Sequence, residues 1–159
     1  MTYQDWTYHG IQDGPESSTD LDAEWQPARL LVEKPEFGPT QRENVQVLRE
    51  LPEPDDGGFG WGYNGGGTSR AAALILADAL ELGDPDECGI GLSAYPENKV
   101  LVSMREDFCS DVLSQFCDRW RLRRSVVLRW VYAWYLQNGI VDLPVALREL
   151  PPFRVGYDR

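Results

Sequence analysis

A glycine-rich loop that runs into an alanine-rich helix is the part of this sequence best suited to bind a ligand. The loop and the first turn of the helix read WGYNGGGTSR, from Trp61 to Arg70. Gly65, Gly66 and Gly67 allow positive φ and place no side chain between the backbone N–H groups and a docked molecule. The first N–H groups of a helix lack intrahelical acceptors, so the sequence predicts a place where an anion could bind.

A nucleotide or another phosphate compound would use these residues in distinct ways. The phosphate would be held by the backbone N–H groups of residues 65–69, including that of Thr68. Arg70 would pair with the phosphate through its guanidinium. Trp61 or Tyr63 would stack on a base. Because the lysine and the spacing of a Walker A motif are missing, ATP hydrolysis is not expected.

The same loop also has a purely structural interpretation. Its glycines would let the chain pass close beneath the helix, Trp61 and Tyr63 would anchor it in the core, and Arg70 would be a solvated residue of the first turn. The exposure of the aromatic side chains distinguishes the two interpretations. A buried Trp61 favours the structural role, whereas exposed rings that face open glycine backbone favour a ligand.

A cluster of arginines is the second candidate contact surface. The chain has a net charge of −11, yet residues 119–159 contain eight arginines and three acidic residues. Arg123 and Arg124 begin the last long predicted helix, where each cation opposes the helix dipole by roughly 0.3–1 kcal/mol. Either upstream carboxylates or a partner must compensate them. The cluster consists of Arg119, Arg121, Arg123, Arg124 and Arg129, of which Arg129 is expected on the surface.

No catalytic residue, metal site or cofactor is predicted. The single histidine, His9, has no serine or cysteine at a diagnostic spacing, and neither Asp55-Asp56 nor Glu106-Asp107 is accompanied by a metal-ligand pattern. The three cysteines lack CxxC spacing and are expected to be buried free thiols. They are Cys88, Cys109 and Cys117.

The elements that position these residues predict an α+β fold, with a small antiparallel sheet packed against two or three helices. Residues 1–159 are expected to form a single domain, with a loop-rich part over 10–57 and a compact core over 58–150. Residues 10–28 and 33–44 have the Pro, Gly and acidic composition of exposed loops. Short strands are predicted at Arg29–Val32 and Val45–Leu48, followed by a turn or linker over residues 51–58.

The helices are predicted from apolar spacing and from their end signals. The central helix should begin with Thr68 or Ser69 as its N-cap, run to about Leu82 and stop at Gly83. A strand at Val100–Met104 should lead into a helix near residues 106–117. The last long helix should cover about 123–137, with an apolar stripe of Val126, Val127, Trp130, Val131 and Trp134. A short helix over 143–150 should be capped by Asp142, and the tail to Arg159 should be a strand or disordered.

Several of these residues together resemble a family. The pattern Gly58-Phe59-x-Trp61-Gly62-Tyr63-x-Gly65-x-Gly67 before an Ala/Leu/Ile helix resembles an uncharacterised family of short proteins from prokaryotic, plasmid and phage genomes. Trp120-x-Leu122, followed by Val127 and Trp130, looks like the pattern on the C-terminal helix of that family. Tyr8-His9-Gly10 looks like its early strand. The resemblance implies a shared fold but no activity, since none is established for the family.

The composition favours a protein-binding role without catalysis. A small acidic accessory protein of a mobile element or its host could imitate the charge of nucleic acid and block a basic groove, as an inhibitor of a host defence nuclease would. The alternative is a phosphate-ligand module built on residues 61–70. Non-specific nucleic-acid binding is not expected from so acidic a chain.

The sequence also predicts a cytoplasmic protein that makes no contact with a membrane. No apolar run reaches the roughly 20 residues of a membrane span, and the first residues lack the basic and apolar regions of a signal peptide. A protein partner is expected. The oligomeric state is left open.

Overall fold

Strands and helices form the α+β fold that the sequence predicts, with an antiparallel sheet on one side of a helical layer. The computed structural model describes residues 3–12, 27–35, 45–54 and 57–151. The strands among them are β1 (Thr7–Ile11), β2 (Arg29–Pro35), β3 (Val45–Leu51) and β4 (Arg119–Arg123). The helices are α1 (Gly66–Ala79), α2 (Pro85–Cys88), α3 (Lys99–Asp111), α4 (Arg124–Gln137) and α5 (Val145–Arg148), with a 3-10 turn at Leu113–Gln115.

The strands pair in the order β3-β2-β1-β4, and every pair is antiparallel. Tyr8 of β1 lies opposite Val32 on one side and Leu122 on the other. Because side chains alternate along a strand, this face is buried against the helices, whereas the other face carries Thr7, His9 and Glu33 together with the apolar Leu31. Gly10 pairs with Trp120, and a Cβ at Gly10 would overlap the indole ring.

A buried polar network joins the sheet to α1. Trp6 Nε1 donates to the Tyr8 hydroxyl at 2.8 Å, and that hydroxyl donates to Asp78 Oδ2 at 2.6 Å. Asp78 lies in the last turn of α1 and also forms a bidentate pair with Arg49 of β3. Burial and the neighbouring Asp78 carboxylate raise the pKa of Tyr8, so its hydroxyl stays protonated and donates.

The central helix α1 is buried on nearly all sides, as its AAALILA run predicts. Its predicted start is wrong, because the helix begins at Gly66 and Gly65 occupies the N-cap position without any side-chain cap. Thr68 and Ser69 therefore lie inside the first turn. Their hydroxyls are free to bond elsewhere because neither one caps the helix.

The end of α1 comes a few residues before the predicted one. The helix ends at Ala79 instead of Leu82, and the chain turns through Glu81 with a φ of 55°. Gly83 has a φ of 81°, the left-handed conformation expected of a glycine that terminates a helix. It lies several residues after the end of α1, however.

The strand predicted at Val100–Met104 is wrong, since these residues belong to α3. The Asn98 side chain accepts a hydrogen bond from the Leu101 N–H at 3.1 Å and caps the helix. The buried side chains recur along α3 with helical spacing as far as Phe108. A short apolar run fits a strand or a buried helix equally well, and here the cap and the longer apolar face decide for the helix.

The residues after α3 also differ from the prediction. The helix expected over 106–117 ends at Asp111, and Arg119–Arg123 form the edge strand β4 instead. Arginines alternate with Trp120 and Leu122 there, which is the period of a strand. Trp120 and Leu122, which the family resemblance assigns to the C-terminal helix, therefore lie on β4.

The last long helix is confirmed as α4, and Gly139 follows it with a φ of 67°. Its buried stripe is narrower than predicted. Val127, Val131 and Trp134 are buried, whereas Val126 is 50% exposed. Adjacent helix positions are about 100° apart, so Val126 points away from the face that its neighbour buries.

The short helix α5 begins later than predicted. Pro144 occupies its N-cap position and no side chain caps it, so Asp142 does not act as the cap. None of the described helices has the length and apolar character that crossing a membrane requires. Of the predicted loops, residues 10–11 and 33–35 are strand, residues 13–26 and 36–44 lie outside the described part, and so does the tail over 152–159.

Candidate functional site

Trp61, at the start of the glycine-rich loop, is a core residue. It is 1% exposed, its Nε1 donates to the Asp118 carbonyl oxygen at 3.2 Å, and its ring meets Trp120 edge-on at 5.3 Å. It cannot stack on a bound base without leaving this position. The burial of Trp61 favours the structural interpretation of the loop.

Tyr63 occupies the space that the glycines leave open. Its side chain is 51% exposed, yet the ring lies over the loop itself. A Cβ at Gly65 would lie 2.9 Å from Tyr63 Cε2, and one at Gly67 would lie 2.6 Å from its hydroxyl oxygen. These glycines therefore accommodate the tyrosine ring, which covers the backbone that the phosphate hypothesis requires to be open.

The two hydroxyls that follow bond within the protein. Thr68 Oγ1 donates to the Tyr63 carbonyl oxygen at 2.8 Å, and Ser69 Oγ donates to Glu106 Oε2 at 2.7 Å. Thr68 and Ser69 are both buried. A backbone bond from Gly60 N–H to the Gly67 carbonyl closes the loop at 3.1 Å. The loop is thus held together by its own contacts.

The structure describes all eight residues predicted to bind a ligand, and Arg70 alone among them lines a cavity. This cavity has a volume of about 550 Å³ and lies between the segment after β3, α1 and the residues around α2. Its Nε donates to the Gly58 carbonyl oxygen at 2.8 Å. Three carboxylates outside the predicted site line the same cavity: Glu53, Asp84 and Asp86.

Arg124 is a structural residue of the interior, in contrast to its predicted role in partner binding. It is 2% exposed, and it donates from Nε to the Ala79 carbonyl at 2.9 Å and from Nη1 to the Gln4 carbonyl at 2.7 Å. Its guanidinium carbon lies 4.3 Å from the centre of the Trp6 ring. A cation at the last turn of α1 also interacts favourably with the helix dipole. Its Nη2 makes no hydrogen bond with any residue that the structure describes and lies 3.7 Å from Glu81 Oε2.

Arg121 is compensated by an upstream carboxylate on the outer face of the sheet. Glu33 is 4% exposed, and its Oε1 lies 3.3 Å from Arg121 Nε and 2.7 Å from His9 Nδ1. Burial lowers the pKa of His9; the Glu33 carboxylate opposes this effect, and Arg121 adds to it. The neutral ring then donates from Nδ1 to Glu33. No sequence signal marked Glu33, because the cluster depends on the register of three strands.

The other arginines of the cluster differ in their surroundings. Arg119 and Arg123 are exposed on β4, where they alternate with the buried side of the strand. Arg129 is half-buried, and its Nη2 donates to the Pro151 carbonyl oxygen at 3.2 Å, so part of its guanidinium bonds within the protein. The five arginines do not form one continuous contact surface, since at least three of them are used within the fold.

One stretch of the described residues carries an excess of exposed acidic side chains, although its Glu106 pairs with Arg105. Between residues 84 and 118 there are eight acidic side chains, all exposed, and two basic ones, of which Lys99 is exposed and Arg105 is buried. We call this set the acidic surface. Its members are Asp84, Asp86, Glu87, Glu97, Glu106, Asp107, Asp111 and Asp118. Their exposure leaves most of this negative charge facing solvent.

The three cysteines differ in their burial. Burial raises the pKa of the Cys109 thiol, which lies 3.7 Å from Ser69 Oγ, and burial also raises the pKa of Cys88. A raised pKa keeps both as thiols at neutral pH. Cys117 is exposed, contrary to the expectation that all three are buried. No group of three potential metal ligands occurs among the described residues.

No family model matches the chain, and no curated protein or solved structure shows significant similarity to it. The resemblance to the uncharacterised family therefore stays a prediction.

Proposed function

We propose that this protein is a non-enzymatic accessory protein that binds a basic protein partner through the acidic surface. The observation that carries the proposal is the exposure of all eight carboxylates between Asp84 and Asp118, with Lys99 as the one exposed cation among them. The family resemblance adds a mobile element or its host as the source of such a protein.

The distribution of opposite charge supports a basic partner. Arg124 is enclosed by carbonyls and aromatic rings, Arg121 is paired with Glu33, and Arg105 donates to Glu106 and to the Ile90 carbonyl. These cations serve the fold, whereas most acidic groups remain in solvent. A partner with a basic groove would regain favourable electrostatic interactions on contact, and the potential would also speed the encounter.

Charge mimicry of nucleic acid is the proposed mode of action. A surface with dense negative charge competes with nucleic acid for a basic groove, and an inhibitor of a host defence nuclease would act in this way. The cytoplasm, where such a nuclease meets its substrate, is the proposed location.

A displacement experiment tests the proposal. Host DNA-binding proteins are loaded on DNA-cellulose, and the purified protein is added at about 0.05 M salt, where charges are little screened. We expect selective release of a basic protein, with release suppressed near 0.5 M salt. If no protein is released at low salt, or if release is insensitive to salt, the electrostatic proposal is wrong.

A matched pair of variants locates the contact. Glu97→Gln with Asp111→Asn removes two charges from the acidic surface, and Asp142→Asn with Glu149→Gln removes two charges outside it. Exposed ion pairs are worth about 0.2–1 kcal/mol each, so the first variant should weaken binding of the released partner by about 2- to 30-fold. The second should bind like the wild type at the same salt concentration. Equal losses would mean that only the net charge matters.

The contacts of the loop weaken the alternative that it binds a phosphate ligand. Of the residues proposed for that site, only Arg70 is still placed to contact a ligand. Tyr63 covers the glycines, and the hydroxyls of Thr68 and Ser69 are bonded internally. The cavity beside Arg70 nevertheless offers a separate binding site of different chemistry.

A further inference from the structure

We propose that the cavity beside Arg70 binds a small zwitterion that carries both a carboxylate and an ammonium group, in the class of apolar α-amino acids. Its volume of about 550 Å³ falls within the range of small-molecule sites. The cavity shares only Arg70 with the predicted phosphate site, and the proposal does not rest on partner binding by the acidic surface.

The carboxylate of the ligand would bind to Arg70. The arginine is half-buried, and its Nε is fixed by the bond to the Gly58 carbonyl oxygen at 2.8 Å. Its two terminal nitrogens make no hydrogen bond or ion pair with any residue in the described ranges. A guanidinium held in this way presents two parallel N–H groups that match the geometry of a carboxylate.

Two glycines make the position of this guanidinium possible. A Cβ at Gly57 would lie 2.7 Å from the guanidinium carbon of Arg70, and one at Gly66 would lie 3.4 Å from Nη1. Gly57 also has a φ of 142°, which other residues rarely adopt. The backbone on both sides is therefore shaped around the arginine head group.

The ammonium of the ligand would meet the carboxylates of the same cavity. Glu53 Oε1 lies 2.9 Å from the Cβ position of Gly58, the residue whose carbonyl holds Arg70. Glu53 and Arg70 thus lie against one residue without forming an ion pair. Asp84 and Asp86 add negative charge to the lining.

The balance of charge selects against phosphates. Three carboxylates around one arginine would repel the several negative charges of a nucleotide, whereas a zwitterion satisfies both signs. Pro54, Leu74 and Leu92 supply apolar lining for an aliphatic side chain. An apolar amino acid is therefore a better match than a phosphate compound.

Isothermal titration calorimetry with four probes tests the ligand class. The probes are L-leucine, 4-methylpentanoate without the ammonium, 3-methylbutylamine without the carboxylate, and inorganic phosphate. We expect leucine to bind, and each single-charge analogue to bind about tenfold or more weakly, since each loses a charge-assisted contact. No binding of leucine up to about 10 mM, or tighter binding of phosphate than of leucine, would overturn the proposal.

Variants of the cavity test the site itself. Arg70→Gln should reduce leucine affinity by about tenfold or more, whereas Arg148→Gln, on the exposed part of α5, should leave it unchanged. Leu92→Trp should narrow the cavity, and we expect the fold to be retained because the Leu92 side chain is 38% exposed. Leucine binding should then be lost in this variant even if Arg70→Gln is unstable. Unchanged affinity in folded Leu92→Trp protein would show that leucine does not bind in this cavity.

Discussion

Replacing Arg124 with leucine should destabilise the protein more than any other single arginine substitution in the 119–129 cluster. The guanidinium is 2% exposed and donates to the Ala79 and Gln4 carbonyls, at 2.9 and 2.7 Å. It also lies 4.3 Å from the centre of the Trp6 ring. Leucine fills part of the volume but can satisfy none of these partners.

The size of the effect follows from the groups left behind. An unpaired buried carbonyl such as that of Ala79 costs about 1–3 kcal/mol, and the lost cation at the end of α1 costs up to about 2 kcal/mol. The contact with the Trp6 ring contributes about 1–2 kcal/mol when it is desolvated. Relief from burying the charge of Arg124 offsets part of this loss. We expect the free energy of unfolding to fall by about 3–5 kcal/mol, a large part of a typical total of about 5–15 kcal/mol.

Urea denaturation followed by tryptophan fluorescence measures this change, since the chain contains six tryptophans. Arg123→Leu is the matched control. Arg123 directly precedes Arg124 but is exposed on β4, so its replacement should alter the free energy of unfolding by about 0.5 kcal/mol or less. Arg124→Lys keeps the charge but not the planar fork, so an intermediate loss is expected. A loss below about 1 kcal/mol for Arg124→Leu, or equal losses for both leucine variants, would refute a structural role for the buried guanidinium.

Two further predictions concern the sheet. His9 is the single histidine, so NMR titration of its ring protons should report a pKa below the usual value of about 6.5. The pKa should fall further in Glu33→Gln and rise in Arg121→Gln. A wild-type pKa above about 6.5 would show that burial does not dominate the pKa of His9. Because the pKa of His9 is lower in the folded state than in the unfolded state, protonation favours unfolding. The stability associated with this group is therefore retained above about pH 6.5 and lost as the pH falls through the folded-state pKa. Tyr8→Phe should lower the free energy of unfolding by about 1–3 kcal/mol in urea titrations, because Asp78 loses a buried donor; an unchanged midpoint would show that the network does not stabilise the fold.

The fold was predictable where the apolar pattern is long and its ends are marked. The alanine-rich run of α1 and the Val/Trp stripe of α4 each cover several turns, so their period is unambiguous. The strand predicted at Arg29–Val32 was also found, although it extends to Pro35 into the predicted loop. The strand predicted at Val100–Met104 was wrong, because its four apolar residues fit a strand or a helix equally well.

The candidate site was predictable only in part. Arg70 lies beside the cavity because it follows the glycine loop directly along the chain. Glu53 and Asp86 come from segments on either side of that loop in sequence, and only the packing of α1 against its neighbours brings them to the same cavity. No local pattern encodes such a meeting, since side-chain contacts between distant segments depend on the whole core.

By itself, the sequence determined the α+β class, the central buried helix and the acidic excess, because composition and periodicity act locally along the chain. The tertiary structure alone decided what the charged and aromatic residues do. Tyr63 fills the space beside its own glycines, and Arg124 turns into the interior instead of towards a partner. Burial of a charge depends on the carbonyls and rings that other segments place around it, and those positions exist only in the folded chain.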